Sequence, residues 1–165
     1  MKTETIQEII NFLCQELGGD WFLTGGALVR LKFDSSRGTE DLDFVRINHP
    51  TLSDEAAKDI FFRWLMNKNL GPEWVNSAVE PFVKEVPNWQ KETVLIEKGS
   101  KGRIFRPNQT LFIYLKLKRG SEIDFNDILI AKKKCSEKFD EKKFLSWADE
   151  KLKNKFLKFR DSLGL

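Results

Sequence analysis

The residues at 21–30, Trp-Phe-Leu-Thr-Gly-Gly-Ala-Leu-Val-Arg, constrain the fold of this 165-residue chain more than any other segment. Their apolar start, Trp21 to Leu23, predicts a short strand that ends at Thr24-Gly25-Gly26. Because glycine has no Cβ, its backbone can approach an anionic ligand closely. A helix predicted from Ala27 directs free N–H groups and a positive dipole end at the same point. The segment therefore predicts a phosphate-binding turn.

A second segment, Arg-Gly-Thr-Glu-Asp-Leu-Asp at 37–43, predicts a metal site. Asp41 and Asp43 are separated by one residue at the start of a strand predicted over 41–47. Alternate residues of a strand point to the same face, so both carboxylates share one face while Leu42 and Phe44 face the core. Carboxylate oxygens are ligands that Mg²⁺ prefers. The spacing therefore predicts a two-carboxylate Mg²⁺ site.

The combination of strand, Gly-Gly turn, helix and Arg37-x-Thr39-x-Asp41-x-Asp43 resembles the nucleotidyltransferase superfamily that includes polymerase beta. Residues 70–79 and 116–128 resemble its small stand-alone bacterial branch, near the AbiEii-type toxins and the minimal nucleotidyltransferases. The resemblance covers roughly residues 20–130 and implies an α/β (α+β) nucleotidyltransferase fold. We expect a single domain over residues 1–165, with a small mixed sheet, flanking helices and a C-terminal helical segment.

The resemblance also implies roles for individual residues. Asp41 and Asp43 would be catalytic and hold Mg²⁺ or Mn²⁺. Arg37 would be catalytic by countering charge in the transition state. The residues implied to bind the nucleotide are Thr24, Gly25, Gly26, Arg37, Thr39 and Lys116. Arg37 and Thr39 would in addition shape the loop before the carboxylates, and the alternative for Lys116 is an ordinary surface lysine.

Two positions depart from the family's pattern. Active members supply a third acidic residue from a neighbouring strand. Glu92 and Glu97 flank the strand predicted over 93–96, but no local pattern singles out either. The arginine that precedes the Asp124-like position is displaced, because Ser121 occupies that spacing and Arg119 lies two residues earlier.

The function implied is transfer of a nucleoside monophosphate from a nucleoside triphosphate (NTP) to a hydroxyl acceptor. A protein hydroxyl, an RNA 3′ end and a small molecule all satisfy the same chemistry. Resemblance to the toxin branch favours protein or tRNA, and with it a toxin–antitoxin or phage-defence system with an antitoxin or small-protein partner. The competing hypothesis is a catalytically degenerate module of the same fold that binds a protein or RNA partner.

Composition excludes several other classes. With 41% hydrophobic and 32% charged residues, the chain is typical of a globular protein, and no apolar run has the length of a membrane span. The N-terminal residues lack a secretory pattern, so we expect a cytoplasmic protein without a membrane partner. Cys14 and Cys135 are too few for a disulfide framework and are expected to be reduced. His49, the only histidine, excludes zinc sites built from several imidazoles and is predicted to be a solvated loop residue.

The positive charge is concentrated near the C-terminus. Residues 132–160 contain eleven Lys or Arg against five Asp or Glu. Apolar residues recur there every three or four positions, which predicts a basic amphipathic helix within 132–165 that begins at Asp140. A solvated helix face is the favoured interpretation, and a surface that binds RNA or steers substrate is the alternative.

Periodicity, caps and turn residues predict the remaining elements. We expect helices over 6–17, 27–32, 53–68, 107–118 and 124–134, a short helix at Pro72, and strands over 21–24, 41–47, 94–96 and 104–105.

Overall fold

The computed structural model describes residues 1–165, apart from the side chain of Pro72. The described residues form a mixed α/β structure, as predicted. Its strands are β1 (Gly19–Thr24), β2 (Leu42–Asn48), β3 (Val75–Asn76), β4 (Thr93–Lys98) and β5 (Gly102–Pro107). Its helices are α1 (Thr3–Phe12), α2 (Gly25–Lys32), α3 (Asp54–Asn67), α4 (Glu80–Lys84), α5 (Gln109–Arg119), α6 (Glu122–Lys134), α7 (Glu141–Trp147) and α8 (Glu150–Leu163).

The five strands make one open mixed sheet in the order β3-β2-β1-β5-β4. β1 runs antiparallel to β2 and parallel to β5, β3 is parallel to β2, and β4 is antiparallel to β5. All six residues of the central strand β1 are buried. Burial of both faces follows from helices covering both sides of the sheet.

Strand alternation divides the core between the two faces. Trp21 and Leu23 pack with α1, α2 and α3, whereas Phe22 packs with the group of helices from α4 to α8. On β2, Phe44 belongs to the first core and Val45 to the second. Asp43 shares the face of Val45, because residues two apart point the same way. The sheet therefore directs Asp43 towards α4–α8.

Most predicted elements are confirmed, with shifts at their ends. α1 continues through a π-helical turn to Leu17, and α3 begins after Ser53, whose side chain accepts a hydrogen bond from the Ala56 amide at 3.2 Å. α5 begins two residues later than predicted because Asn108 provides its N-cap. α6 begins two residues earlier because Ser121 caps it. Polar caps of this kind satisfy amides that the first helical turn leaves free.

The single helix predicted towards the C-terminus is wrong. Residues 132–134 complete α6, and the remainder forms two helices, α7 and α8. The backbone of Ala148 is extended, and Asp149 starts α8 by accepting a hydrogen bond from the Leu152 amide at 2.7 Å. Both helices bury their apolar residues in the same core, so the three-to-four-residue spacing of apolar residues continues across Ala148. That spacing alone could not reveal the break between α7 and α8.

Two short elements, β3 and α4, were not predicted. They follow a 3₁₀ turn over Pro72–Trp74, which corresponds to the short helix expected there. A two-residue strand and a five-residue helix are too short for a periodic signal. Both nevertheless border the candidate site.

His49 is not the solvated residue that was predicted. Its Nε2 lies 2.9 Å from the Leu17 carbonyl oxygen, and its Nδ1 accepts hydrogen bonds from the amides of Thr51 and Leu52. These partners assign the proton to Nε2 and make His49 a structural link between α1 and the β2–α3 loop. Cys14 and Cys135 are free thiols, as expected.

No helix among the described residues is long and apolar enough to cross a membrane.

Candidate active site

A cleft opens beside the ends of β1 and β2, between α2 and the helices α4 to α6. It contains about 590 Å³ of atom-free space, part of it open to solvent. Its lining residues are Thr24, Gly25, Asp43, Ala78, Val79, Phe82, Leu115, Lys116, Arg119 and Asp124. The structure therefore brings four of the residues predicted from sequence, Thr24, Gly25, Asp43 and Lys116, into one opening.

Gly25 forms the tightest contact of the predicted turn. Thr24 is the buried last residue of β1, and Gly25 starts α2 with a left-handed φ of +72°. A Cβ at Gly25 would overlap the Oδ2 atom of Asp43 and lie 2.8 Å from its Cγ. Glycine is thus required by both the backbone conformation and the adjacent carboxylate.

Gly26 packs against the loop that precedes the carboxylates. A Cβ at Gly26 would lie 2.9 Å from Thr39 Oγ1 and 3.2 Å from Arg37 Nη2. Thr39 Oγ1 in turn donates a hydrogen bond to the Asp41 carbonyl at 3.0 Å. Arg37 and Thr39 therefore lie behind the turn, between α2 and the start of β2.

Asp43 is the acidic residue that lines the cleft beside Gly25, and Asp41 lies two residues before it. Asp43 is half-buried, and its pKa is raised by burial and by the charge of Asp41, against the opposing effects of Arg119 and Lys116. Asp41 accepts a hydrogen bond from the side-chain amide of Asn76. Burial is the larger cause of the raised pKa, and the negative charge of Asp41 adds to it, so a cation bound beside Asp43 would favour its ionised form.

Asn76 lies where β3 places it, directly beside Asp43. The parallel register of β2 and β3 pairs these two residues. While its Nδ2 donates to Asp41, its Oδ1 accepts from the Ala78 amide at 3.1 Å. The strand next to the two carboxylates therefore carries an amide whose orientation is held by two partners.

Lys116 and Arg119 form the cationic wall. Lys116 is only 4% exposed, so it is not the surface lysine considered as the alternative. Its Nζ lies 2.6 Å from Asp127 and 3.2 Å from Asp124. Arg119 donates two hydrogen bonds to Asp124, one from Nε at 2.7 Å and one from Nη2. The displacement of this arginine in sequence therefore does not prevent it from reaching Asp124.

Asp124 is a buried carboxylate held ionised by its partners. Burial raises its pKa, but hydrogen bonds from Arg119 and Ser121, together with the charge of Lys116, outweigh burial and lower the pKa to about 2. Ser121 contributes both its backbone amide and its hydroxyl, at 3.0 and 2.7 Å. Asp124 lines the cleft, yet its oxygens are already engaged by cations and donors.

Arg37 is connected to Lys116 through Asp127, on the side of Lys116 away from the cleft lining. Its Nε and Nη2 donate to the two oxygens of Asp127, at 2.8 and 3.2 Å. Asp127 has no exposed side-chain surface and also binds Lys116. Arg37 and Asp127 line a neighbouring cavity along α6, and the catalytic role of Arg37 stays a prediction.

Neither glutamate considered for the third acidic position lies at the cleft. Glu92 accepts hydrogen bonds from Asn108 and Lys143. Glu97 belongs to β4, and two strands, β1 and β5, lie between β4 and β2. Within the described part of the chain, no group of three or more His, Cys, Asp or Glu residues has a metal-binding arrangement.

The sequence reading missed three contributors to the site. Arg119 was noted only as displaced, although the Ser121–Asp124 capping box was a readable local signal for α6. Asn76 lies within the 70–79 stretch of the resemblance but had no predicted role, and Phe82 carried no signal; both reach the cleft through the unpredicted elements β3 and α4.

One opening thus combines the Asp43 carboxylate, a cationic wall and an apolar wall formed by Ala78, Val79, Phe82 and Leu115. The geometry of that opening is the basis for assigning a function. Comparison with protein-family models, with curated proteins and with solved structures finds no match for this chain.

Proposed function

We propose that this protein is a metal-dependent nucleotidyltransferase, resembling the polymerase-beta superfamily, that moves a nucleoside monophosphate from an NTP to a hydroxyl acceptor. One observation carries the proposal. Asp43 lies against Gly25 at the start of α2, while Lys116 and Arg119 line the same cleft. A helix start, the Asp43 carboxylate and two cations in one opening, with Asp41 two residues before Asp43 and directly before β2, suit a metal-bound triphosphate.

The triphosphate would be positioned by the first turn of α2 and by the cationic wall. The first amides of an α-helix have no partner within the helix, so those following Thr24 can donate to phosphate oxygens. Lys116 and Arg119 offset the negative charge from the other side. Both are fixed by buried carboxylates, which reduces the reorganisation needed when charge develops on the departing pyrophosphate.

The metal would be held by Asp41 and Asp43. These residues offer only oxygen donors, which suits Mg²⁺ or Mn²⁺, and their mutual repulsion is relieved by a cation. When bound, the ion supplies Lewis acidity that favours ionisation of the acceptor hydroxyl. Asn76 keeps the Asp41 carboxylate in place, and Gly25 leaves room for that of Asp43.

The reaction is a displacement at the α-phosphorus. The acceptor hydroxyl gives up its proton to water, its oxygen forms a bond to that phosphorus, the bond to the bridging oxygen of the β-phosphate breaks, and pyrophosphate leaves. Lys116 and Arg119 stabilise the charge that the pyrophosphate acquires. In this scheme Arg37 contributes through Asp127, whose carboxylate it shares with Lys116.

The test uses NTPs carrying the label on either the α- or the γ-phosphate, incubated with the purified protein, Mg²⁺ and a bacterial cell extract. Transfer of α-label, and not of γ-label, to a macromolecule supports nucleotidyl transfer. Nuclease and protease treatment then distinguishes tRNA or other RNA from protein, the two acceptors favoured by the resemblance. Asp43→Asn should abolish labelling. Absence of α-label from every fraction would contradict the proposal.

A second candidate is a catalytically degenerate module of the same fold that binds a protein or RNA partner. Asn76 supports it, because an amide stands on the strand beside Asp43 where a third carboxylate is expected in an active enzyme. The second candidate predicts metal-dependent NTP binding, or binding of an antitoxin-like small protein, without transfer of label.

A further inference from the structure

Phe82 is a partly exposed aromatic side chain that lines the cleft. It is 43% exposed although it belongs to α4, whose neighbouring residue Val83 is fully buried in the second core. Burial of Val83 anchors the short helix, so Phe82 is presented to the opening by a fixed backbone. Large apolar side chains left exposed beside a ligand site are commonly part of that site.

The surface beside Phe82 is apolar and has little capacity for hydrogen bonding. Ala78, Val79 and Leu115 complete this wall, and none of the four side chains carries a donor or acceptor. The Ala78 amide is already used by the Asn76 side chain. This wall meets the charged part of the cleft at Lys116, which directly follows Leu115 in α5.

We propose that the nucleobase of the NTP stacks on Phe82 against this wall, while the triphosphate reaches Asp43, Lys116 and Arg119. The inference rests on the proposed function, and it adds a base-binding surface and a specificity. With the metal of the proposed function bound at Asp43, a ligand that is apolar at one end and polyanionic at the other fits the two kinds of wall in this opening. A nucleoside triphosphate has that polarity.

Weak discrimination among bases follows from the chemistry of the wall. Selection of one base requires hydrogen bonds to its edge, whereas stacking accepts any base because each has a π-face. The wall offers stacking only. We therefore expect the four NTPs to bind within about tenfold of one another, with the larger purines tighter.

The experiment compares binding of ATP and of inorganic tripolyphosphate to the full-length protein by calorimetry in Mg²⁺. Tripolyphosphate carries the anionic part of the ligand without a base. Phe82→Ala should weaken ATP binding about tenfold, as expected for loss of one stacking contact, and leave tripolyphosphate binding unchanged. Phe82→Trp should keep ATP affinity. Phe62→Ala provides the control, since Phe62 is 37% exposed on α3, away from the cleft.

The outcomes separate this inference from the proposed function. Equal affinity of the wild-type protein for ATP and tripolyphosphate would overturn the base site while leaving metal-dependent triphosphate binding intact. If a folded Phe82→Ala protein lost affinity for ATP and for tripolyphosphate equally, the base site would also be overturned. A preference of more than hundredfold for one base would overturn it as well. Failure of the wild type to bind either ligand would overturn both proposals.

Discussion

At the scale of single residues, the contact between Gly25 and Asp43 leaves no space for a β-carbon. Gly25→Ala should displace the Asp43 carboxylate and strain a left-handed backbone, at a cost of about 1–2 kcal/mol in stability. We expect Mg²⁺-dependent ATP affinity to fall at least about tenfold in calorimetry, because a metal ion held by Asp41 and Asp43, as proposed, would lose a ligand. The matched control is Gly38→Ala, where an added Cβ has no neighbour within 4 Å. Normal ATP binding by Gly25→Ala would show that Asp43 holds no metal.

Asn76 offers a second test at this scale. Asn76→Asp removes the hydrogen bond to Asp41 and adds a third carboxylate beside the pair. Repulsion should lower the melting temperature of the metal-free protein, whereas Mn²⁺ should raise the melting temperature more than it does in the wild type. Asn76→Ala should lower the melting temperature of the metal-free protein less than Asn76→Asp does. It should not increase the response of the melting temperature to Mn²⁺. A Mn²⁺ response that is the same in all three proteins would place the metal elsewhere.

At the scale of secondary-structure elements, α5 and α6 are joined by buried charges. Asp124 on α6 has a pKa lowered from 3.8 to about 2, so its ionised form stabilises the folded state above about pH 4. This contribution, about 2 kcal/mol, is lost as the pH falls from about 4 to 2. Asp124→Asn should therefore reduce the free energy of unfolding at pH 7, and the difference from the wild type should shrink towards pH 2. Denaturant unfolding across this range provides the measurement, and a difference that does not vary with pH would contradict the assignment.

The same elements show why sequence predicted one part of the site and missed another. The Gly-Gly turn and Asp41-x-Asp43 lie within single elements or at their ends, so strand and turn patterns could locate them. The pairing of Asn76 with Asp43 joins positions more than thirty residues apart through a two-residue strand. The ion pairs of Lys116 and Arg37 with Asp127 likewise depend on how α2, α5 and α6 pack. Residue patterns carry no distances of that kind.

At the scale of the whole molecule, the basic C-terminal segment lies on the same face of the sheet as the cleft. α8 packs in the second core through Leu152 and Phe156, and Lys155 donates a hydrogen bond to the Leu117 carbonyl of α5 at 3.0 Å. Lys151 and Lys158 are exposed. α8 thus presents positive charge to solvent from a helix that contacts α5, the helix that carries Lys116.

Charge reversal on α8 distinguishes an RNA-binding surface from a solvated helix face. Lys151→Glu with Lys158→Glu should leave ATP affinity and stability nearly unchanged, because exposed lysines contribute little to either. If RNA is the acceptor, its affinity should fall, and the slope of log affinity against log salt should flatten by about 0.7 for each phosphate contact removed. Lys58→Glu with Arg63→Glu makes the same charge change on α3, on the opposite face of the sheet. This control pair should leave the RNA affinity and the salt slope near their wild-type values. If the two double substitutions changed the RNA affinity and the salt slope equally, RNA binding would depend on the net charge of the protein and not on α8. No response to either pair would favour a protein or small-molecule acceptor, because neither needs phosphate contacts along α8.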